Sequence, residues 1–273
     1  MKKEHDYLIC IDSDGCAMDT MNSKHFYCFG PEWVTQYGLE DIKEEALKYW
    51  NQVNLFSKTR GINRFKGLAM GLEWAEKKGY RTEGLEEFVT WTKEAAELSN
   101  PALLAECQKK KNPCMEQALL WSIHVNLAIK EPGMEQGAFY GVKGALEKMS
   151  HKADLAVVSS ANAQAVEEEW FKYGLKPYCK ALLSQEAGSK AECIQKLLDL
   201  GYQQKNVLMA GDAMGDYEAA KKNGVWFYPI VVNYEKESWQ QLQEEAYPKL
   251  IHGTFDMEYQ KELLDKFARG LQG

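Results

Sequence analysis

From Ala138 onward the sequence alternates short apolar runs with amphipathic stretches, and this alternation constrains the fold more than any other feature of the chain. "DLAVVSS", "KALLS", "NVLMAGD" and "VWFYPIVV" have the length and composition of buried strands. "FYGVKGALEKM", "AQAVEEEWFKYG", "SKAECIQKLLDLG" and "DYEAAKKNG" carry apolar residues at helical spacing. Strands that alternate with helices are joined by right-handed crossovers and lie parallel, with helices covering the sheet. One further strand, "YLICID", belongs to this set but stands apart at the N-terminus.

The text between is of another kind. "EDIKEEALKYWNQVNLF", "RFKGLAMGLEWAEKKG", "GLEEFVTWTKEAAELS" and "NPCMEQALLWSIHVNLAIK" are all helical in period, with Pro101, Pro113, Pro132, Gly79 and Gly84 as punctuation. Their Trp and Tyr residues read as core. The predicted architecture is therefore α/β: a three-layer, Rossmann-like parallel-sheet core formed by residues 1–20 and 137–273, with an all-helical domain, residues 21–136, inserted after the first strand.

Composition limits the function classes. A hydrophobic fraction of 45 % and a charged fraction of 27 % describe an ordinary globular chain. A net charge of −7 argues against nucleic acid, whose binders carry basic patches. No apolar run reaches the roughly 18 residues of a membrane span. Charges interrupt the N-terminal "MKKEHDYLICID" at once, so no secretory leader is expected. The seven cysteines are odd in number and include no CxxC pair, which speaks against a disulfide framework or a zinc site and for reduced thiols in a cytoplasm.

Open α/β sheets bind ligands beyond the carboxyl ends of their strands. "YLICID" ends in Asp12, with Asp14 just beyond; "LAVVSS" ends in Ser159 and Ser160; "NVLMAGD" ends in Asp212, with Asp216 four residues on. A turn explains "DSDG" alone, but not the common location of all these groups. Carboxylates gathered at one point repel unless a cation neutralises them, and Mg²⁺ takes oxygen ligands. An Asp can also be a nucleophile, and a second Asp beside it a proton donor. Phosphoryl transfer further needs hydroxyl donors and a positive charge. Lys190 is the candidate cation, because Ser189 and Glu192 in "GSKAE" have the spacing of a helix capping box. The alternative for Lys190 is a solvated surface lysine. Cys16, beside the carboxylates, has no paired His and reads as a small buried residue.

"DSDG", "AVVSS", "GSK" and "AGDAMGD" together, in this order and spacing, resemble the motifs of the haloacid dehalogenase-like superfamily: hhhDxDG, a strand ending in Ser or Thr, an isolated Lys before a helix, and GDxxxD. The resemblance implies a phosphatase of small phosphorylated metabolites, with Asp12 as nucleophile and Asp14 as general acid/base. It implies phosphate binding by Ser159, or Ser160 in its place, and by Lys190. Mg²⁺ would be held by Asp12, the backbone carbonyl of Asp14, and Asp212, with Asp216 in support or binding through water. The insertion is similar to the helical cap found between the first and second motifs. Asp14 favours a phosphatase over a dehalogenase, since halide needs no proton. A phosphomutase of the same fold is the enzymatic alternative, and a receiver-like phospho-acceptor domain the non-enzymatic one. Within the insertion "SKTRGINRFKG" offers Lys58, Arg60, Arg64 and Lys66. The first reading of all four is a solvated helix start; Arg60 and Arg64, four apart, would share a face if helical, and a face turned to the cleft would select an anionic substrate. The crossings near Asp19–Asn22 and Pro132–Gly137 are the expected hinges of a lid.

Overall fold

The structure is a computed structural model that describes residues 1–131 and 137–271. The expected second crossing, at 132–136, lies outside the described residues. Strand β1 (Tyr7–Ile11) is followed by seven α-helices: α1 (Met21–Lys24), α2 (Gly30–Gln36), α3 (Lys43–Asn54), α4 (Arg64–Lys77), α5 (Leu85–Glu94), α6 (Asn100–Lys109) and α7 (Pro113–Ala128). Then come α8 (Val142–Ser150), β2 (Ala153–Val158), α9 (Ala163–Lys172), β3 (Ala181–Leu183), α10 (Lys190–Leu198), β4 (Val207–Gly211), α11 (Met214–Lys222) and β5 (Trp226–Pro229). Three helices, α12 (Glu235–Gln241), α13 (Tyr247–Ile251) and α14 (Met257–Gly270), complete the described chain.

All five strands are parallel, in the order β3-β2-β1-β4-β5. β1 lies at the centre, with Ile9 opposite Leu155 on β2 and Leu208 on β4. Every residue of β2 and β4 is buried. A parallel sheet covered on both faces demands such unbroken apolar runs, which is why they were conspicuous in the sequence. The chain builds outward from β1 to β2 and β3 on one side, then to β4 and β5 on the other. The topological switch therefore falls between β1 and β4, whose carboxyl ends carry Asp12 and Asp212.

The strand expected over "VWFYPIVV" is shorter, ending at Pro229. Ile230 still donates to the Gly211 carbonyl at 2.8 Å, but β4 ends there and offers no further partner, and the chain turns away. Helix α8 starts later than "FYGVKGALEKM" suggests, because Gly141 stands ahead of it at φ 90°, a left-handed conformation that suits glycine. Between α1 and α2 a π-helical turn covers His25–Phe29, which apolar periodicity does not reveal.

The chain divides into two compact units, Met1–Met21 with Gln136–Gly273, and Asn22–Glu135. Each has its own apolar core. That of the sheet-containing unit runs from Ile9 and Ile11 through Leu155, Trp170 and Leu208 to Trp239. That of the helical unit is built on Trp33, Trp50, Phe65, Phe88 and Trp121, with no residue in common. Trp33, Trp50 and Trp121 lie with ring centroids 5.3 and 5.7 Å apart in a chain of contacts, at spacings where aromatic pairs add to their burial. Among the described residues no helix is long and apolar enough to cross a membrane.

Candidate active site

β1 ends by handing its last ladder bond to Asp12, whose amide donates to the Ala210 carbonyl at 3.0 Å. The chain then winds tightly around Ser13. The Ser13 carbonyl accepts the amides of Cys16, Ala17 and Met18 at 3.3, 3.0 and 2.8 Å, and Gly15, at φ 79°, permits the turn. Met18 pairs with both Asp14 and Ala138. The Thr20 hydroxyl donates to the Asp14 carboxylate. Two buried tryptophans hold the same loop: the Trp170 indole N–H donates to Ser13 Oγ at 2.9 Å, and that of Trp239 to the Cys16 carbonyl at 2.8 Å. Cys16 itself is fully buried, its thiol 3.5 Å from the Ala210 carbonyl, and burial raises its pKa well above the usual thiol range. It is a packing residue, as its sequence context suggested.

β4 delivers Asp212, and α11 follows at once with Asp216 in its first turn. Asp216 Oδ2 accepts the Ala213 amide at 3.1 Å, placing the carboxylate where a helix N-terminus favours negative charge. Gly211 makes this possible: a Cβ there would lie 2.3 Å from Asp216 Cγ. Lys190 opens α10 behind a complete capping box, with Ser189 Oγ accepting the Glu192 amide and Glu192 Oε2 accepting that of Ser189. Its Nζ lies 2.9 Å from Asp12 Oδ2 and 2.5 Å from Asp216 Oδ1, with the side chain only 14 % exposed. The solvated-lysine alternative is thereby excluded.

Carboxylate oxygens of Asp12, Asp212 and Asp216 lie within 4.8 Å of one another, and all three residues are buried. Burial pushes Asp12 well above the usual carboxylate range; Lys190 pulls it down, while Asp216 and Asp212 push it up again. Asp216 is raised by burial in the same way. Burial opposes the Lys190 charge, but Asp12 and Asp216 outweigh it and hold the ammonium protonated. Three carboxylates thus face one ammonium. An all-oxygen, negatively charged donor set of this kind fits a hard divalent cation. Asp14 contributes no carboxylate to the cluster.

At the end of β2, Ser159 and Ser160 differ sharply. Ser159 is 3 % exposed; its amide donates to the Leu183 carbonyl, and its Oγ accepts the Ala161 amide at 3.1 Å. Ser160 is exposed. A hydroxyl that accepts a backbone amide still has its own hydrogen to donate.

In the helical unit the shared face expected for Arg60 and Arg64 does not form. Asn63 caps α4, its side chain accepting the Phe65 amide, so Arg64 is the first helical residue and Arg60 lies in the turn before it. Nor is either arginine a solvated side chain at a helix start. Arg60 is 3 % exposed, with its guanidinium donating to the Leu55 carbonyl. Arg64 donates to Ser122 Oγ and Asn126 Oδ1 on α7, and its guanidinium lies over the Phe29 ring at 5.0 Å.

Ser13, Thr20, Trp170 and Trp239 were not singled out from the sequence. Ser13 stands inside the quoted motif, but nothing in one sequence signals that an indole 157 residues away caps its hydroxyl.

A model of the family described as haloacid dehalogenase-like hydrolase matches residues 91–230. Among solved structures, a candidate phosphoglycolate phosphatase from Lactobacillus delbrueckii subsp. bulgaricus is similar over 93 % of this chain and 99 % of its own, with a TM-score of 0.52 at 13 % identity. A haloacid dehalogenase-like family hydrolase from Xanthomonas campestris covers 91 % and 97 %, with a TM-score of 0.49 at 10 % identity. A candidate phosphoglycolate phosphatase from Haemophilus somnus covers 83 % and 86 %, with a TM-score of 0.49 at 14 % identity. At 13 % identity the likeness to the first of these is one of fold. A comparison with curated protein sequences gives no match.

Proposed function

From its membership of the haloacid dehalogenase-like hydrolases, the family to which this chain belongs, we propose that the protein is a Mg²⁺-dependent phosphatase of a small phosphorylated metabolite. The observation that carries this reading is the buried cluster of Asp12, Asp212 and Asp216 around Lys190 at the switch point of the sheet, with Asp14 two residues beyond Asp12.

In this mechanism a carboxylate oxygen of Asp12 attacks phosphorus, and an aspartyl-phosphate forms as the ester oxygen leaves. Asp14 protonates that oxygen, then takes a proton from the water that hydrolyses the acyl-phosphate. The Thr20 hydroxyl orients the Asp14 carboxylate for both steps. Lys190 and the hydroxyl of Ser159 bind phosphoryl oxygens; buried Ser159 is the better placed of the two serines for a fixed contact. The Asp12 and Asp212 carboxylates, with the Asp14 carbonyl, would hold Mg²⁺, and Asp216 would support it. When bound, the ion supplies positive charge that offsets the carboxylates and the phosphoryl oxygens. The seven free thiols agree with a reducing cytoplasm.

Turnover of p-nitrophenyl phosphate, measured with Mg²⁺ and again with EDTA, tests the reading. Release of p-nitrophenol only with the metal is expected. Equal rates in both would remove the metal from the mechanism, and no release in either would remove the phosphatase.

A further inference from the structure

We propose that Trp170 and Trp239 are positioning residues that hold the Asp12–Met18 loop in its working conformation through their indole N–H groups. This inference rests on the phosphatase reading of the same site.

The loop is under a geometric demand. Asp12 and Asp14 must face the same phosphoryl group, and the chain that holds them leaves the strand and winds tightly around the Ser13 carbonyl, which accepts three amides. It leaves two polar groups of the loop in apolar surroundings: Ser13 Oγ, on a residue 1 % exposed, and the carbonyl of Cys16, a residue with no exposure. A polar group buried there without a partner would drive the loop toward other conformations. Each is met by one indole, Ser13 Oγ by Trp170 from α9 and the Cys16 carbonyl by Trp239 from α12. Both tryptophans are fully buried and belong to the same apolar core.

An indole N–H can only donate. Ser13 Oγ is therefore obliged to accept, which restricts the Ser13 side chain to one orientation and with it the peptide between Asp12 and Asp14. The ring that makes the bond is itself fixed by core packing on every side. Neither indole bonds to Asp12 or Asp14 directly, so their effect on the reaction runs through the backbone of the loop. A misplacement of reacting groups by a fraction of an ångström to an ångström is costly in rate.

The test is a double-mutant cycle on p-nitrophenyl phosphate turnover in the full chain with Mg²⁺. Trp170→Phe keeps the aromatic packing and deletes the N–H. We expect kcat to fall by about threefold to tenfold, the loss of one neutral hydrogen bond, with KM within about twofold because substrate binding groups are untouched. Ser13→Ala should fall by a similar factor, since it leaves the indole N–H unpartnered. The combined variant should be no worse than either single one, because both partners are then gone. Trp239→Phe, whose partner is a main-chain carbonyl, should lower kcat without such rescue. Indole ¹⁵N–¹H spectra read the contact independently: the Trp170 signal should shift in Ser13→Ala and the Trp239 signal should not. Additive losses in the cycle, or a change confined to KM, would overturn the proposal while leaving the phosphatase intact. A wild-type protein that releases no p-nitrophenol would overturn the phosphatase reading and this proposal with it. An unshifted Trp170 signal in Ser13→Ala would overturn the contact whatever the activity.

Discussion

Asp12 shows how a single side chain can be spent on function against stability. Its carboxylate is buried beside two others, with the Lys190 ammonium against it and the Ser13 amide donating to its Oδ1 at 2.8 Å. Asp12→Asn keeps the shape, removes one like charge and supplies a poor nucleophile. Turnover should fall by a factor on the order of 10³ or more, while the thermal midpoint without metal stays or rises. A variant with near-wild-type kcat, or one that melts well below wild type, would contradict this. Asp154, at the opposite end of the sheet, shows the reverse arrangement. It is fully buried and accepts the amides of Glu4 and His5 at 2.8 and 3.0 Å, the His5 ring at 3.1 Å and the Tyr202 hydroxyl at 2.6 Å. Burial works to raise its pKa, but these donors outweigh it and hold the carboxyl below the usual range. A depressed folded value means a stability contribution that is complete above the unfolded Asp value of about 3.9 and lost as pH falls through the folded one. Asp154→Asn should therefore cost about 1.5–3 kcal/mol at neutral pH, and the gap to wild type in urea denaturation should narrow in acid. A gap independent of pH would refute the ionic character of these bonds.

At the scale of elements, capping and strand ends decide where the chemistry sits. The Ser189–Glu192 box was readable as a spacing, and it does place Lys190 at the first position of α10. Its reach to both Asp12 and Asp216 was not readable, because that distance depends on how α10 and α11 pack on each other and on the sheet. Gly211 carries the same lesson. In the sequence it is one of 21 glycines; in the structure it is the residue that lets Asp216 approach the end of β4. Gly211→Ala would press a methyl into the Asp216 carboxyl and its Cβ, at 2.3–2.4 Å. We expect a loss of about 1–3 kcal/mol in stability, together with a weaker response of the thermal midpoint to added Mg²⁺. An alanine variant as stable and as metal-responsive as wild type would show that Asp216 can move freely. The Arg60–Arg64 spacing misled for a related reason: a four-residue interval means a shared face only inside a helix, and Asn63 starts the helix between them.

For the whole molecule, the helical insertion leaves and rejoins the sheet-containing unit at neighbouring points. Asp19 donates its amide to the Gly137 carbonyl at 3.0 Å, and Met18 pairs with Ala138. The two apolar cores share no residue. Replacing residues 22–136 by a short Gly/Ser linker should thus leave a chain that folds cooperatively with its parallel sheet intact. A non-cooperative melt, or loss of near-ultraviolet Trp170 and Trp239 signals, would show that the sheet needs the insertion. The α/β class, the parallel sheet and the helical character of the insertion can all be read from the chain in one dimension. Hydrophobic period and run length are local consequences of which face a segment buries, and they survive in one dimension. The sequence also carried the motifs by which the chain resembles its family, since each is a strand end or a helix start of a few residues. Which groups meet depends on the folded arrangement. It gathered Asp12, Asp212 and Asp216 around Lys190, set Ser159 inside and Ser160 outside, put Trp170 on Ser13, and gave Arg64 to α7. Those contacts join residues far apart in the chain, and their distances are set by the packing of whole elements rather than by any local pattern.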